Sequence, residues 1–246
     1  MSLSVIVITK NEAHAIGKCL ESVSWADEII VLDSGSTDGT SKICESMGAK
    51  VHVADWPGFG PQKNRALDLA TGEWVLSLDA DETVTAELKA EILEAVSKED
   101  ADAYSFPRSS SYCGRFMRHG GWWPDRVTRL FRRGRARFSE DLVHERLIVD
   151  GRTAELAAPL SHIAFSDLEE VLQKIDRYST AGAMMMAKRG KKASLGAAIL
   201  HGFWSFFRTY FLKAGFLDGG EGFMLAVSNA EGAYYRYLKL MLLNRK

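Results

Sequence analysis

The sequence predicts an α/β fold: βαβ units that build a parallel sheet, followed by a helical, aromatic-rich extension. Short apolar runs rich in β-branched residues alternate with segments of helical pattern, and three of these runs end in polar clusters. Residues 160–246 then have a helical pattern. The chain has 246 residues, of which 46% are hydrophobic and 26% charged, so wholesale disorder is excluded.

Four apolar runs have the length and composition of buried strands. They span residues 3–9, 28–32, 51–53 and 73–78. Helical patterns lie between and after these runs. They span residues 12–23, 62–69 and 87–96, with a further helix that ends at Met47. Strands that alternate with helices in this way predict parallel pairing, and ligands bind outside the carboxyl ends of such strands.

Charge is distributed unevenly along the chain. Residues 1–107 carry a formal charge of −11, residues 108–152 carry +6, and residues 153–246 carry +4. The total is −1, so the protein lacks the net positive charge that is typical of nucleic-acid-binding proteins. Three widely spaced cysteines argue against a disulfide framework and a cysteine zinc site, and they fit a reducing compartment. The amino terminus starts directly with a strand-like pattern, so we expect no secretory signal.

Two carboxylates, Asp79 and Asp81, follow the fourth predicted strand and are separated by one residue. Oxygen ligands of this kind suit Mg²⁺ or Mn²⁺, which keep water and substrate phosphates in their coordination shells. The pair therefore predicts a metal–diphosphate site, and the alternative is a helix-capping pair. Asp33 ends the second strand and could accept hydrogen bonds from a base or ribose, or could form an Asx-turn.

Three segments resemble, in order and spacing, the inverting family 2 glycosyltransferases of the GT-A fold. They are residues 4–12 (SVIVITKNE), 33–40 (DSGSTDGT) and 78–82 (LDADE). A narrower similarity, carried by residues 129–132, residues 143–145 and the aromatic carboxyl-terminal segment, is to bacterial lipopolysaccharide inner-core transferases. That group includes a β-1,4-glucosyltransferase that acts on core heptose. The resemblance implies a Rossmann-like, mostly parallel sheet between helices.

The resemblance also implies roles for single residues. The nucleotide would contact Thr9, Asn11, Glu12, Asp33, Lys63 and Asp79. Asp33 would bind the uracil or ribose, Lys63 would lie near the base or phosphates, and Asp79 would face the ribose or metal. Asp81 would ligate the Mg²⁺ or Mn²⁺ ion that bridges the diphosphate of a UDP-hexose donor.

An inverting transfer needs a group that takes the proton of the acceptor hydroxyl. Many family members carry an aspartate in a Glu-Asp pair, which would be Asp141, whereas a His-Glu pair is prominent in the core-transferase-like group. We therefore expect Glu145 to be the base and keep Asp141 as the alternative; His144 would contact the leaving group or metal. The processive Gln-X-X-Arg-Trp motif is absent from the sequence, which favours transfer of a single sugar.

Arginines and aromatic residues are interleaved through residues 108–138. Guanidinium groups suit phosphates and carboxylates, and aromatic faces suit sugar rings. We expect an acceptor groove for a phosphorylated, acidic glycolipid, with contacts from Arg126, Arg129 and His144. The alternative is that these arginines pair with carboxylates of the acidic first half, and nucleic acid is a poor third because the net charge is near zero.

Residues 193–207 are uncharged, but this run of 15 residues is shorter than the ~20 needed to span a bilayer. Aromatic residues beside Arg208 and Lys213 predict an interfacial helix that lies on anionic lipid. Together with the lipid-linked acceptor that the resemblance implies, this predicts a protein on the cytoplasmic face of the inner membrane. The alternative is a helix packed on the catalytic domain or on a second subunit of a homo-oligomer.

The predicted organisation is a catalytic domain at residues 1–155 and a helical extension at 156–246. Within the domain, residues 1–107 would bind the nucleotide sugar, and 108–155 would supply the base and acceptor contacts. The expected function is metal-dependent transfer of one hexose, glucose by resemblance, to lipopolysaccharide inner core or another lipid-linked acceptor. The rivals are a transferase for polyprenyl-linked or capsular acceptors, and a non-catalytic nucleotide-sugar-binding membrane protein.

Overall fold

The computed structural model divides the chain into two structural units. It describes residues 1–98, 100–139 and 146–245. The first unit comprises Met1–Arg108 and Arg126–His162, and the second comprises Ser109–Asp125 and Ile163–Lys246. Residues 109–125, which were predicted to lie in the catalytic domain, therefore belong to the second unit.

The strands, in chain order, are β1 (Leu3–Thr9), β2 (Glu28–Asp33), β3 (Lys50–Val53), β4 (Trp74–Asp79), β5 (Glu82–Val84), β6 (Ala103–Tyr112), β7 (Arg115–Phe116), β8 (Asp125–Arg132), β9 (Ala136–Phe138), β10 (Leu147–Val149), β11 (Thr153–Glu155) and β12 (Leu160–Phe165). The α-helices are α1 (Ile16–Ser22), α2 (Thr40–Ser46), α3 (Phe59–Leu69), α4 (Ala86–Lys98), α5 (Leu168–Lys188), α6 (Leu195–Phe207) and α7 (Gly219–Leu243). A π-helical turn (Arg208–Leu212) and a 3₁₀ turn (Gly215–Asp218) connect α6 to α7.

The first unit is built on a mixed sheet with the strand order β3-β2-β1-β4-β8-β6-β12-β5. β1 pairs in parallel with β2 and with β4, and β2 pairs in parallel with β3. β8 runs antiparallel to β4, and β12 runs antiparallel to β5. The predicted α/β fold, with its parallel pairing of the amino-terminal strands, is confirmed.

The side chains of β1 are buried on both faces of the sheet. Val5 and Val7 belong to one hydrophobic cluster, whereas Ile6 and Ile8 belong to the other. Side chains alternate between the faces of a strand, so a strand covered on both faces needs an unbroken apolar run. This explains why residues 3–8 show no alternation of polar and apolar residues apart from the buried Ser4.

Helix α1 begins at Ile16 rather than at the predicted residue 12. The backbone N–H groups of Glu12 and Ala13 donate hydrogen bonds to the side chains of Thr40 and Asp38 instead. The first residues of the predicted helix are therefore held in a turn against the loop that precedes α2.

The second unit contains α5, α6 and α7, with α7 packed against both other helices. Its core includes Tyr112, Met117, Val171 and Leu225. The carboxylate of Asp218, which is 2% exposed, accepts hydrogen bonds from the backbone N–H groups of residues 118 and 119. Among the described residues, none of the helices combines the length and the apolar character needed to cross a membrane.

Glu28, the first residue of β2, is a buried carboxylate that joins several parts of the first unit. Its Oε2 atom accepts hydrogen bonds from Ser4 Oγ at 2.6 Å and from the Thr71 backbone N–H at 2.9 Å, and its Oε1 atom accepts one from Lys50 Nζ at 2.8 Å. Burial alone would raise the pKa of Glu28, but the bonds from Lys50, Ser4 and Thr71 outweigh it and lower the pKa to about 2.

We predict that Glu28→Gln lowers the free energy of unfolding by about 2–3 kcal/mol near neutral pH. The folded-state pKa lies below the usual 4.5, so the contribution is complete above about pH 4.5 and falls as the pH drops toward 2. Urea unfolding at neutral pH and at about pH 3.5 should show a smaller difference between wild type and variant at the acidic pH.

The control for this prediction is Glu45→Gln, which changes an exposed carboxylate on α2. It should alter stability by less than about 0.5 kcal/mol at either pH. A difference between wild type and Glu28→Gln that does not shrink in acid would contradict the role assigned to the ionised Glu28.

Candidate functional site

The parallel register brings three strand ends to one edge of the sheet in the first unit. Thr9 lies opposite Asp33 in the pairing of β1 with β2, and Ile8 lies opposite Asp79 in the pairing of β1 with β4. Thr9 is 3% exposed, and its hydroxyl has no hydrogen-bond partner among the described residues. The predicted residues of all three strand-end clusters therefore meet at one edge, as parallel strands require.

The loops that follow β1 and β2 are joined by hydrogen bonds. Asn11 accepts a bond from the Thr37 backbone N–H at 2.9 Å, and its own backbone N–H donates to Ser36 Oγ at 2.8 Å. Asn11 has a φ of 57°, in the left-handed region that asparagine tolerates better than most residues. The two loops thus form one continuous polar surface above the sheet.

Asp33 is 1% exposed, and its carboxylate stabilises its own turn. Oδ1 accepts a hydrogen bond from the Ser36 hydroxyl at 2.7 Å, and Oδ2 accepts one from the Ser41 hydroxyl. This is the turn-forming alternative considered for Asp33. Both oxygens of the Asp33 carboxylate are therefore already engaged by hydroxyl groups of neighbouring residues.

Helix α3 begins at Phe59, earlier than the predicted start at residue 62. Pro61 lies in the first turn, where its missing N–H interrupts no hydrogen bond of the helix. Gln62 donates from Nε2 to Ser34 Oγ at 3.1 Å, and Asn64 exchanges hydrogen bonds with the backbone of Phe138. The start of α3 is therefore anchored on both sides of Lys63.

Lys63 is 1% exposed, and its Nζ atom lies 2.9 Å from Oδ1 of Asp79. The other carboxylate oxygen of Asp79 lies 2.5 Å from the guanidinium group of Arg129. Glu82, with no exposed surface, lies 3.3 Å from both Arg129 and Arg108. Lys63, Glu82 and Arg129 are buried, and buried charges are stable only when they are paired. Together with Asp79 and Arg108 they form one interdependent group of five side chains, which we call the Asp79 cluster.

Asp79 stays ionised in this environment. Burial would raise its pKa, but the charges and hydrogen bonds of Arg129 and Lys63 outweigh burial and hold the pKa well below its ordinary value. Both oxygens of the carboxylate are already engaged by cations.

Asp81 has a different partner from Asp79. Its Oδ2 atom lies 3.3 Å from Nε2 of His162, with side-chain exposures of 33% for Asp81 and 14% for His162. The antiparallel pairing of β12 with β5 sets His162 opposite Glu82, next to the turn that carries Asp81. No sequence pattern pointed to His162, because its position depends on the pairing of strands that are distant in sequence.

Asp81 and His162 could contribute ligands to a divalent cation. Both oxygens of Asp79 are instead engaged by Lys63 and Arg129, although its side chain is 31% exposed. Asp81 and His162 offer one carboxylate oxygen and one imidazole nitrogen, and both are partly exposed. Among the described residues, no group of three or more His, Cys, Asp or Glu side chains could hold a metal by itself. The protein would thus supply two ligands, and substrate oxygens and water would supply the rest.

The arginines predicted to contact the acceptor are paired with carboxylates of the first unit. Arg129 belongs to the Asp79 cluster, and Arg126 lies 2.9 Å from Glu155. Arg129 thus pairs with carboxylates of the acidic first half, which was the alternative to contact with the acceptor. Asp141, His144 and Glu145, the candidates for base and leaving-group contacts, lie outside the described residues.

A family model described as "Glycosyl transferase family 2" matches residues 4–148, a range that includes all three strand-end clusters. An uncharacterized glycosyltransferase of Rickettsia felis is 31% identical over 97% of this chain and 89% of its own length. The lipopolysaccharide core biosynthesis glycosyltransferase LpsC of Rhizobium meliloti is 29% identical over 97% of this chain and 90% of its own length.

Among solved structures, S. aureus TarS is similar in fold, with a TM-score of 0.52 and 19% sequence identity. The match covers 88% of this chain and 45% of the TarS chain, so this chain spans less than half of that protein.

We predict that Asp79→Asn lowers the free energy of unfolding by about 3–5 kcal/mol, because it removes the carboxylate between two buried cations. The side chains of Lys63 and Arg129 are only 2% and 9% exposed. The matched control is Asp68→Asn, which breaks an exposed pair with Arg137 and should cost less than about 1 kcal/mol. Urea unfolding measures both, and equal losses would show that the Asp79 cluster does not stabilise the fold.

Proposed function

We propose that this protein transfers one hexose from a UDP-sugar, with inversion, to a lipopolysaccharide core or another lipid-linked acceptor. The chain belongs to glycosyl transferase family 2 and is a glycosyltransferase. The family and the enzyme class predicted from the sequence are thereby confirmed. The observation that carries the proposal is the polar sheet edge, where Asp81 and His162 lie beside the ends of β1, β2 and β4. Glucose is proposed as the hexose on the resemblance alone.

The joined loops after β1 and β2 are proposed to bind the uridine. Asn11 and Ser36 present polar groups on this surface, and the Thr9 hydroxyl lies just beneath it, at the end of β1. Asp33 shapes the surface by holding Ser36, and we propose that it exchanges a hydroxyl partner for the nucleoside. The Asp79 cluster holds Lys63 below the diphosphate position as part of a fixed positive framework.

Asp81 and His162 are proposed to hold Mg²⁺ or Mn²⁺ at the diphosphate. A bound divalent cation supplies charge neutralisation for the departing diphosphate. Asp79, whose oxygens are held by Lys63 and Arg129, then positions the turn that carries Asp81 instead of ligating the ion itself.

The base that deprotonates the acceptor hydroxyl is proposed to come from residues 140–145. Glu145 is the first candidate and Asp141 the second, on the sequence resemblance given above. Either carboxylate could accept the proton as the hydroxyl oxygen attacks the anomeric carbon from the face opposite the diphosphate, which inverts the configuration.

The proposed lipid-linked acceptor is supported by the surface of α6 in the second unit. Its small residues Ala198 and Gly202 are buried, whereas Leu200, Phe203 and Trp204 are 69%, 68% and 54% exposed. A Cβ atom at Gly202 would lie 3.1 Å from Tyr234 of α7, so the small face packs on α7 and the large apolar face points outward. This is the reverse of a helix that buries its large side chains, and it suits contact with lipid acyl chains.

The charge around α6 is consistent with anionic lipid. Residues 177–217 contain seven lysines and arginines and no aspartate or glutamate. Each basic residue near an anionic membrane surface adds about 1 kcal/mol of attraction. We therefore propose that the outward face of α6, which we call the α6 apolar face, lies on the cytoplasmic surface of the inner membrane.

The test of the catalytic proposal uses UDP-glucose, Mn²⁺ and lipopolysaccharide truncated at its inner core. Wild-type protein should add one hexose to the glycolipid, detected by mass spectrometry. Asp81→Asn and His162→Ala should each lower the transfer rate at least ~100-fold and weaken Mn²⁺-dependent UDP binding, measured by calorimetry, at least ~10-fold.

His52→Ala is the control for His162→Ala, since His52 is an exposed histidine on β3 and should leave both quantities unchanged. UDP binding that is equally tight in Mn²⁺ and in EDTA would refute the metal role of Asp81 and His162. Tight UDP binding without hexose transfer to any lipid-linked acceptor would favour the non-catalytic alternative.

The membrane proposal predicts co-sedimentation with vesicles that contain phosphatidylglycerol, and weaker binding to pure phosphatidylcholine. The double variant Leu200→Ser/Phe203→Ser should weaken vesicle binding at least ~100-fold, because each side chain contributes about 1.5–3 kcal/mol when it leaves water. The control Val53→Ser/Ile148→Ser changes two exposed apolar residues of the first unit and should bind like wild type.

The oligomeric state is measured in parallel by sedimentation velocity. A double variant that binds vesicles normally, but loses a dimer present in wild type, would assign the α6 apolar face to a second subunit and overturn the membrane proposal.

A further inference from the structure

A cavity of about 410 Å³ lies within the second unit. Its walls come from α5 and α7, from Ser205 of α6, and from the aromatic residues Tyr112, Trp122 and Phe165. Tyr112 and Trp122 belong to the arginine- and aromatic-rich segment predicted to form the acceptor groove, and none of the lining residues takes part in the proposed donor site. The volume suits a small organic molecule of the size that protein pockets commonly enclose.

The three aromatic residues of the cavity wall contact one another. The centroid of the Tyr112 ring lies 5.9 Å from the centroid of Trp122 and 5.9 Å from that of Phe165. The centroids of Trp122 and Phe165 are 6.1 Å apart. The Tyr112 hydroxyl is hydrogen-bonded to Ser228 Oγ at 2.7 Å, which fixes the ring against α7. Such a wall offers flat apolar surfaces to a sugar ring or an alkyl chain.

Gly232, in the interior of α7, also lines the cavity. Its φ is not in the left-handed region, and a Cβ atom placed there would meet no atom within 4 Å. Glycine inside a helix lowers stability relative to alanine, so a glycine that neither backbone geometry nor packing requires needs another explanation. The space that it leaves is available to a ligand.

Two cations line the same cavity, Lys174 of α5 and Arg236 of α7. The Nζ atom of Lys174 lies 4.5 Å from the centroid of the Phe165 ring, and neither cation has a carboxylate partner in the part of the chain that the structure describes. Lys239, one turn of α7 away, is by contrast bonded to Asp176 at 2.7 Å. The cavity therefore combines apolar walls with positive charge that has no ion-pair partner.

We propose that this cavity binds a phosphate monoester carried by an apolar or ring-shaped group. Lys174 and Arg236 would pair with the phosphate, since lysine and arginine are the side chains that proteins use to bind it. The organic group would lie between the aromatic wall and the space at Gly232. A lipid phosphate and a soluble sugar phosphate share this chemistry, and the proposal stands independently of the donor site in the first unit.

Calorimetry on the full chain tests the proposal with three probes: dodecyl phosphate below its micelle concentration, glucose 1-phosphate and inorganic phosphate. At least one organic phosphate should bind 10-fold or more tightly than inorganic phosphate. Binding of dodecyl phosphate alone indicates a lipid source, and binding of glucose 1-phosphate alone indicates a soluble one. Absence of binding by both organic phosphates overturns the proposal.

Variants then locate the binding. Lys174→Met/Arg236→Met removes the charges and Gly232→Leu fills the space, and each should weaken binding of the organic phosphate at least 10-fold. Lys188→Met, an exposed lysine of α5 that does not line the cavity, is the matched control and should bind like wild type. Unchanged binding in both cavity variants overturns the proposal.

Two further measurements keep the outcome unambiguous. Circular dichroism verifies folding, and Gly232→Ala, which should be at least as stable as wild type, replaces Gly232→Leu if the larger side chain prevents folding. UDP affinity should be unchanged in every cavity variant, so failure of the donor site and failure of this cavity are detected separately.

Discussion

The neutralisation of Asp79 by Lys63 and Arg129 is the interaction on which the rest of the first unit's sheet edge depends. Lys63 could not be removed from water without a carboxylate beside it, because an unpaired buried ammonium costs several kcal/mol. The same carboxylate fixes Arg129 from β8, and Glu82 completes the charge balance from β5. The helix α3, the strand β4 and the antiparallel strand β8 are therefore joined at one point.

This pairing separates two carboxylates that look equivalent in the sequence. Asp79 ends β4 and pairs with two cations, whereas Asp81 lies beyond the turn beside His162; the two aspartate side chains are similarly exposed, at 31% and 33%. Lys63 and Arg129 hold the Asp79 carboxylate in place by binding both of its oxygens. Asp79 is therefore less suited than Asp81 to ligate an ion. The pairing of Asp79 with Lys63 and Arg129 also anchors the end of β4, two residues before Asp81.

The parts of the fold that the sequence predicts well are those specified locally. β1 coincides with the predicted run at residues 3–9 because a doubly buried strand needs an unbroken series of apolar residues. From parallel pairing alone, Thr9, Asp33 and Asp79 could be placed at one edge. His162 could not, because only the long-range pairing of β12 with β5 brings it to Asp81. Likewise, the partners of Arg129 follow from packing that no local pattern records.

In the second unit, α6 and α7 each contain a feature that lowers the stability of the fold. Helix α6 exposes Leu200 and Phe203 while it buries glycine and alanine, which gives up the free energy that burial of those side chains would contribute. Helix α7 places Gly232 where alanine would stabilise it. Folded proteins keep destabilising features of this kind mainly where a functional requirement outweighs the lost stability. Both features leave apolar space beside basic residues, so one kind of ligand, an apolar molecule that carries negative charge, would satisfy both proposals.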